Sequence, residues 1–593
     1  MIGHSPYLVL IVLLPLLGFL LSFLFRKPAL IEALGILASA AAWILVASGY
    51  ILWSAEIDRR GFLVQTLWAF SGSDTAVIAV GLAMDPLAAL FSIACLVSAS
   101  AAALMLLSRG SRSLGGMGAA LSGLLLVVLS DGPLTAFLGW GLLILPGLLA
   151  SGSSRNDEPG GNLSSSLIHL IPFAGMAAFL LILAWNRPES LSWAGLGEGS
   201  VGLVLPLGSN MTSLGIGTSC LLLFLLPSMG AWPFTPWWSA VKERSSWIGA
   251  AAIVIAARAF YAAPPIPEIQ GLLVLAGGVT AILGFFHGLG LARTRVQESI
   301  RFARAGSHGL SLAAIGLGFP ELAVAMEAAF LIAHELILMP LAEPGLGRTG
   351  QKGTTVRRTA LLVGAAGLAL FPLSLGYGPA SRLIGSAYSM VLVSMPYLGP
   401  LALTLLLLAV IAASAWMVDL YRTASAGSDE GSFRPLETGI VGAVVILAIA
   451  AGLAALPGIP FLEESVRPWG DDPIEPDVGN SLLGLLLVFL SGSCLAIYST
   501  LKKDFSLDEP LSGPVLSPLF RVSNGLMGET MRTVAAKVLF SPLAAIADFV
   551  VVRVSERVIC EKILFEGIGL VLGYPVKAFV ALISARRSKK ERE

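Results

Sequence analysis

The chain has 593 residues, of which 56% are hydrophobic and 12% are charged, and its formal net charge at pH 7 is zero. A soluble domain carries about twice that charged fraction, and a nucleic-acid-binding protein has a basic footprint that this composition excludes. The cysteines Cys95, Cys220, Cys494 and Cys560 are scattered singly, so they offer no zinc or iron–sulfur spacing. We therefore predict an integral membrane protein without a metal or other cofactor of its own.

The apolar residues fall in runs of about 17–25, the length of helix that crosses the hydrocarbon core of a bilayer. Lipid offers the backbone no hydrogen-bond partner, so each run is predicted to be a helix. The predicted spans lie near 7–25, 30–52, 84–107, 114–129, 133–150, 165–185, 213–230, 247–262, 269–291, 307–318, 322–341, 359–378, 397–420, 436–457 and 481–501. The fold class is thus an all-α polytopic membrane protein with about 15–16 transmembrane helices. The sixteenth would be a weak last helix near 561–585, within an amphipathic, basic tail from 503 to 593.

Loop charge predicts the orientation, because cytoplasmic loops carry an excess of Lys and Arg. Most basic loop residues follow odd-numbered spans, and the loop after the ninth span alone holds Arg293, Arg295, Arg301 and Arg304. The loops after even-numbered spans hold Arg59, Arg60, Arg187, Arg382 and Arg467. This bias predicts an outside N-terminus in the inner (plasma) membrane of a cell.

Two apolar stretches contain helix breakers. Pro227 and Pro233 interrupt the seventh span, and Pro372 and Pro379 follow in the twelfth, about 145 residues later. Proline removes a backbone donor, and broken helices at membrane depth are tolerated where they are buried in protein or line a cavity. Their spacing predicts two repeats of about five helices each.

The predicted domain organisation follows from these repeats. It comprises an N-terminal three-helix segment with an outside loop (1–110), a first repeat (111–262), a second repeat (263–425), additional helices (426–502) and the tail (503–593).

Several short motifs occur in a familiar order. They are Leu-Leu-Pro-Leu-Leu-Gly-Phe-Leu at 13–20, Met-Asp-Pro-Leu-Ala-Ala-Leu-Phe at 84–91, Ser-Asp-Gly-Pro-Leu at 130–134, Pro-Phe-Thr-Pro-Trp-Trp at 233–238, Ser-His-Gly at 307–309 and Ala-His-Glu-Leu-Ile-Leu at 333–338. Over about residues 1–425 the chain resembles the largest antiporter-like subunit, the subunit L type, of NADH–quinone oxidoreductase and its proton-conducting relatives. The resemblance implies a membrane-arm subunit without a redox centre.

The resemblance also implies a buried axis of one glutamate, several lysines and histidines that relays protons. This sequence departs from it at most positions. The matching residues are Gly141, Ser228, Ile253, His334 and either Ala380 or Ser381, the last beside Arg382. Gly, Ser and Ile cannot carry a proton, so the resemblance predicts the layout better than the activity.

The remaining ionisable residues inside predicted spans are the candidates for a proton path, because charges in a membrane are expensive and usually functional. His334, with Glu335 beside it and Glu327 one heptad earlier, forms either a relay or a structural polar pair. Arg258 either contacts a channel or another subunit or extends to the membrane surface. The further candidates are His169, His287 and Arg382, and interface packing is the alternative for both histidines. His308 is predicted to be a boundary residue.

Three functions remain open. The chain is a proton-translocating or scaffolding subunit of a complex resembling NADH–quinone oxidoreductase. Alternatively, it serves an inorganic-carbon uptake, membrane-bound hydrogenase or cation/proton antiporter complex, or it is a purely structural membrane protein. Each version predicts the lipid bilayer and other membrane subunits as partners, with protons or a quinone-linked complex as further ones.

Overall fold

The structure is a computed structural model that divides into two compact units, Met1–Pro518 and Leu519–Glu593. It describes residues 2–4, 7–56, 62–73, 76–108, 110, 114–151, 161–186, 193, 213–232, 234, 245–262, 267–292, 295–338, 354–369, 374, 377–393 and 398–426, all within the first unit. The predicted spans at 436–457 and 481–501, the tail and its last helix lie outside these residues.

Helices dominate the described residues. They are α1 Leu8–Ser22, α2 Pro28–Glu56, α3 Pro86–Ser108, α4 Met117–Val128, α5 Pro133–Ser151, α6 Gly161–Asn186, α7 Ser213–Met229, α8 Ser245–Ala262, α9 Pro267–Leu291, α10 Val296–Gly316, α11 Pro320–Leu331, a π-helix Ile332–Leu338, α12 Thr354–Leu368, α13 Tyr377–Val393 and α14 Leu398–Ala426. Helices α1 to α9 lie at the first nine predicted spans, so the predicted helical membrane class is confirmed. The division into two repeats stays a prediction.

Two predicted boundaries are wrong. Helix α10 begins at Val296, not near 307, so Arg301 and Arg304 belong to a helix instead of a loop. Helix α13 lies where the sequence predicted a loop, and Arg382 is within it. Both segments carry too many polar residues for a hydropathy window to recognise, although each helix has buried residues along its length.

Four described helices are long and apolar enough to cross a membrane by length and composition alone: Pro28–Tyr50, Leu87–Ser108, Pro267–Leu291 and Leu398–Tyr421. Several others, such as Met117–Val128 and Ser246–Ala262, are apolar but shorter. Much of the surface of α1 and α2 presents large apolar side chains, as expected of helices in contact with lipid.

A small sheet supplements the helices. Strand β2 (Phe62–Ser73) pairs in parallel with β1 (Ile2–His4) and antiparallel with β3 (Ala76–Met84). Strands β2 and β3 thus form an antiparallel pair directly before α3. The end of β3 docks on the α4–α5 connection, where the Ala83 N–H donates to the Leu129 carbonyl at 2.6 Å.

The bend in α1 shows how the backbone is satisfied inside the bundle. Pro15 lies within α1 and has no N–H to donate, which leaves the Ile11 carbonyl without its usual helical partner. The Ser39 hydroxyl of α2 donates to that carbonyl at 2.5 Å, and the Ser122 hydroxyl of α4 donates to the Val12 carbonyl at 2.7 Å. Ser39 therefore replaces the donor that the proline removes, and Ser122 adds a second interhelical hydrogen bond at the next carbonyl.

The first predicted break is a regular helix end. Helix α7 contains Pro227 and ends at Met229, and Gly230 takes a left-handed φ of +62°. The Ala231 N–H donates to the Leu226 carbonyl and the Gly230 N–H to the Pro227 carbonyl, the pattern of a Schellman cap. Pro233 lies outside the described residues.

The second predicted break separates two helices. Helix α12 ends at Leu368 and α13 begins at Tyr377, with Pro379 in its first turn, where proline is tolerated. Pro372 lies outside the described residues. Helix α12 therefore ends just before the second predicted break and α13 begins within it, and the break itself stays a prediction.

Helices α4 and α5 pack through glycine. A Cβ atom at Gly139 would lie 2.8 Å from both the Gly123 carbonyl oxygen and the Val127 nitrogen, closer than real Cβ contacts allow. At Gly141, on the same helix, a Cβ atom would meet nothing within 4 Å. Small residues at such crossings let backbones approach closely in membranes.

This contrast predicts opposite results for two matched variants. We expect Gly139→Ala to destabilise the protein by about 1–3 kcal/mol, because α4 and α5 must move apart. Gly141→Ala should be neutral or stabilising by up to about 1 kcal/mol, because alanine favours a helix. Thermal unfolding in detergent measures both, and equal effects at the two positions would contradict the close packing.

Candidate functional site

A cluster of charged and polar side chains is buried between α10 and α11. The Arg304 guanidinium donates through Nη2 to Glu327 Oε1, and through Nη1 to the Ser307 hydroxyl at 2.8 Å. His308 Nδ1 lies 2.9 Å from Glu327 Oε1, and the Ser311 hydroxyl donates to Glu327 Oε2 at 2.9 Å. Arg304, Glu327 and His308 each have 0% exposed surface. Both oxygens of the glutamate are therefore engaged inside the protein.

The cluster continues to α8 and the π-helix. Arg304 Nε donates to the Ser246 hydroxyl at 2.9 Å, and Ser246 also lies next to the Glu335 carboxylate. Glu335 Oε1 lies 2.9 Å from His334 Nδ1. His334 is 2% exposed, and its Nε2 has no hydrogen-bond partner among the residues that the structure describes. A continuous set of contacts thus runs from His334 to Ser311.

The sequence of α10 explains its half of the cluster. Arg304, Ser307, His308 and Ser311 follow the spacing i, i+3, i+4, i+7, which places them on one face of a helix. This face is turned towards α11 and its Glu327. The predicted boundary position of His308 is therefore wrong. The spacing of these four residues indicates a polar helix face, but the charges of Arg301 and Arg304 favour the interpretation of a loop.

The π-helix explains the other half. Glu327 and His334 are seven residues apart and would share a face of a regular α-helix. From Ile332 onward the backbone is a π-helix, whose wider turns bring residue i+8 round instead. Glu335 is eight residues after Glu327, and it reaches Ser246 next to Arg304. π-Helical turns occur frequently at functional sites.

Gly249 of α8 provides the space that His308 occupies. A Cβ atom on Gly249 would overlap the His308 imidazole, with 2.6 Å to Cε1 and 2.8 Å to Cδ2. Helix α8 therefore contacts the cluster twice, through the Ser246 hydroxyl and through this glycine. Three elements from different parts of the chain enclose the buried charges.

Arg258 belongs to a second, separate polar site. Its Nη2 donates to Asp85 Oδ2 at 3.0 Å and to the Val128 carbonyl at 3.0 Å, and its Nη1 donates to the Ser130 carbonyl at 3.1 Å. Asp85 also accepts the Ala88 N–H at 2.7 Å, which caps the start of α3. Arg258 thus satisfies terminal carbonyls of α4 and binds the cap of α3.

Arg258 is 8% exposed, so its side chain is buried inside the protein. It lies twelve residues after Ser246 on α8, about 18 Å along the helix axis. The α8 residues between them are apolar or glycine, so the two polar sites are not joined along this helix.

The other predicted candidates belong to other helices. His287 is half-buried in α9, with its ring edge-on to Phe302 at a centroid distance of 4.4 Å. Arg382 is half-buried in α13. The backbone of His169 lies in α6, but its side chain is not among those described. Sequence reasoning missed Arg304, His308, Ser246, Ser311 and Asp85.

Among the described residues, no group of three or more His, Cys, Asp or Glu side chains could hold a metal ion. The chemistry that the cluster offers is proton exchange. Glutamate and histidine accept and release protons, serine hydroxyls both donate and accept hydrogen bonds, and arginine keeps its charge.

With the fold and the cluster defined, the protein is placed among multi-pass membrane proteins. Three solved structures with a similar fold come from large complexes. A chain of the Mrp complex from Dietzia sp. DQ12-45-1b has 16% sequence identity and a TM-score of 0.63, with 92% of this chain and 62% of that chain covered. The present chain thus spans 62% of the length of that Mrp chain.

A chain of respiratory complex I from Thermus thermophilus, solved with bound NADH, has 18% identity and a TM-score of 0.60, covering 81% of this chain and 99% of that one. A chain of the membrane-bound sulfane sulfur reductase, an archaeal respiratory membrane complex, has 17% identity and a TM-score of 0.59, covering 91% and 96%. No protein-family model and no curated protein matches the sequence. These likenesses define the fold, which agrees with the predicted resemblance at that level.

The Arg258–Asp85 pair gives a stability prediction. Arg258→Gln should destabilise the protein by about 3–5 kcal/mol, because it leaves a buried carboxylate without its cation. The double variant Arg258→Gln, Asp85→Asn should recover part of this loss.

Arg295 provides the matched control, because its side chain is 67% exposed in its pair with Glu298. Arg295→Gln should change stability by less than about 1 kcal/mol. Thermal unfolding in detergent measures all three variants, and an Arg258→Gln variant as stable as Arg295→Gln would contradict the role given to the buried pair.

Proposed function

We propose that the protein is a membrane subunit of a larger complex and carries protons through the buried cluster of α8, α10, α11 and the π-helix. The observation that carries this proposal is Glu327, which is fully buried and contacted by Arg304, His308 and Ser311. Ionisable groups inside membrane helices are expensive to maintain and are functional in most cases. A glutamate in direct contact with a histidine and a serine hydroxyl is suited to proton exchange.

The state of His334 favours a relay over a purely structural network. Buried polar atoms in proteins are nearly always hydrogen bonded, yet Nε2 of this buried imidazole has no partner in the described part of the chain. A water molecule at Nε2 would complete its hydrogen bonding. The other ring nitrogen, Nδ1, contacts Glu335, which lies next to Ser246, and Ser246 accepts a hydrogen bond from Arg304.

For the parent complex, we propose a respiratory-type complex resembling NADH–quinone oxidoreductase, in which this chain corresponds to the subunit L type. The motif order of residues 1–425 and the shared fold of the complex I chain support this assignment. The alternatives are the inorganic-carbon uptake, hydrogenase and cation/proton antiporter complexes. Mass spectrometry of subunits that copurify from native membranes separates them, since each supplies a different soluble partner.

We propose an outside N-terminus in the inner membrane. The loop-charge bias supports this orientation, although Arg301, Arg304 and Arg382 no longer count as loop residues. The start of α3, the end of α4 and the end of α8 meet at Arg258. This meeting agrees with spans that alternate in direction.

A scaffolding role is the second candidate, and it rests on specific positions. The resemblance implies ionisable groups at three positions that here hold Gly141, Ser228 and Ile253. Gly141 has no side chain, the Ser228 hydroxyl donates to the Phe224 carbonyl of its own helix, and Ile253 is fully buried. A scaffold would keep Arg304 and Glu327 only to hold the helices together.

Proton flux separates these candidates. Glu327→Gln should lower flux by about 10²-fold in vesicles that contain the assembled complex, because the central exchangeable carboxyl is lost. Glu268→Gln is the matched control, since Glu268 is exposed in the first turn of α9. A pH-sensitive dye inside the vesicles reports the flux. Wild-type flux in an assembled Glu327→Gln complex would favour the scaffold.

His334 is tested in the same assay. His334→Ala should lower proton flux, because it removes the buried imidazole beside Glu335. His287→Ala, the control, removes a half-buried imidazole of α9 whose ring lies edge-on to Phe302, and it should leave flux near the wild-type level. Equal flux in the two variants would remove His334 from the path.

A further inference from the structure

We infer that Arg304 is a built-in cation that occupies an oxygen-lined site and thereby excludes alkali cations from the proton path. The inference rests on the proposed function, because it names the ion that the cluster carries. Its structural part, the occupation of a cation site by Arg304, can be tested without any transport measurement.

The first argument is the set of atoms around the guanidinium. Ser246 of α8, Ser307 of α10 and Glu327 of α11 each contribute one oxygen to a different guanidinium nitrogen. Hard cations bind to oxygen ligands of this kind, namely carboxylates and neutral oxygens from several elements. The Arg304 charge is therefore located where these oxygens would otherwise collect a free cation.

The second argument is charge. Arginine stays protonated in proteins, and this side chain is fully buried. A sodium or potassium ion that entered the cluster would meet a fixed positive charge with little water to screen it. Its best ligand, Glu327, already has both oxygens engaged. An alkali cation could bind the oxygens of Ser246, Ser307 and Glu327 only by displacing the guanidinium that already occupies them.

Protons are not excluded in this way, because proton transfer does not need an oxygen-lined cation site. A proton can cross as a succession of changes in the protonation of Glu327, His308, His334 and Glu335, bridged by hydroxyls or water. No bare cation has to stay beside the guanidinium. Arg304 thus prevents the oxygen-rich cluster from binding alkali cations and still allows it to transfer protons.

The decisive experiment is thermal unfolding of the purified complex in detergent, with NaCl compared with choline chloride. Arg304→Ala should vacate the site, so we expect sodium to raise its Tm by about 2 °C or more. The wild type and Arg304→Lys, which retains a fixed charge, should show no sodium-specific shift. The double variant Arg304→Ala, Glu327→Gln should also show none, because the carboxylate ligand is gone.

Absence of a sodium-specific shift in a folded Arg304→Ala variant would overturn the inference. If that variant does not assemble, uptake of radiolabelled sodium by wild-type vesicles decides the question. Uptake no greater than that of protein-free vesicles supports exclusion, and uptake that competes with proton flux overturns it. If the wild type carries no protons while Arg304→Ala binds sodium, the proposed function fails and the assignment of Arg304 to a cation site stands.

Discussion

The buried contact between Arg304 and Glu327 is the interaction on which the central helices depend. Neither side chain has any exposed surface, and no charge at that depth can remain unpaired without a cost of several kcal/mol. The pair fixes the face that α10 turns towards α11, and Ser246 extends the same constraint to α8. The glycine opposite His308 and the π-helix before Glu335 are local adaptations that let these groups meet.

The same constraint acts on the backbone elsewhere in the bundle. Ser39 satisfies the carbonyl that Pro15 frees in α1. Glu32 of α2 accepts the Gly118 N–H at 2.7 Å in the first turn of α4, where a helix has unpaired donors and a positive dipole end. At the other end of α4, Arg258 donates hydrogen bonds to the carbonyls of Val128 and Ser130. Side chains on one helix thus complete the ends and bends of another, because lipid cannot do so.

Some of these features can be predicted from the sequence and others cannot. Long apolar runs locate α1 to α9, since the bilayer sets their length, and the prolines locate the ends of α7 and α12. Hydropathy fails at α10 and α13, because it scores Arg304 as an exposed charge and has no knowledge of Glu327. The spacing of Arg304, Ser307, His308 and Ser311 identifies a polar helix face, but not its partner. The π-helix depends on tertiary contacts and has no comparable signal.

The position of the cluster determines what else a proton path would require. The resemblance implies ionisable groups spread across the membrane, whereas here Gly141, Ser228 and Ile253 interrupt that axis. The titratable groups are concentrated between Ser246, at the start of α8, and the His308–Glu327 contact. Beyond it, α8 presents apolar residues and glycine as far as Arg258. A proton that moves along this segment of α8 must be carried by water or by groups on other helices. At the end of the segment it meets the positive charge of Arg258. A proton path along α8 therefore depends on hydration of the apolar segment between Ser246 and Arg258.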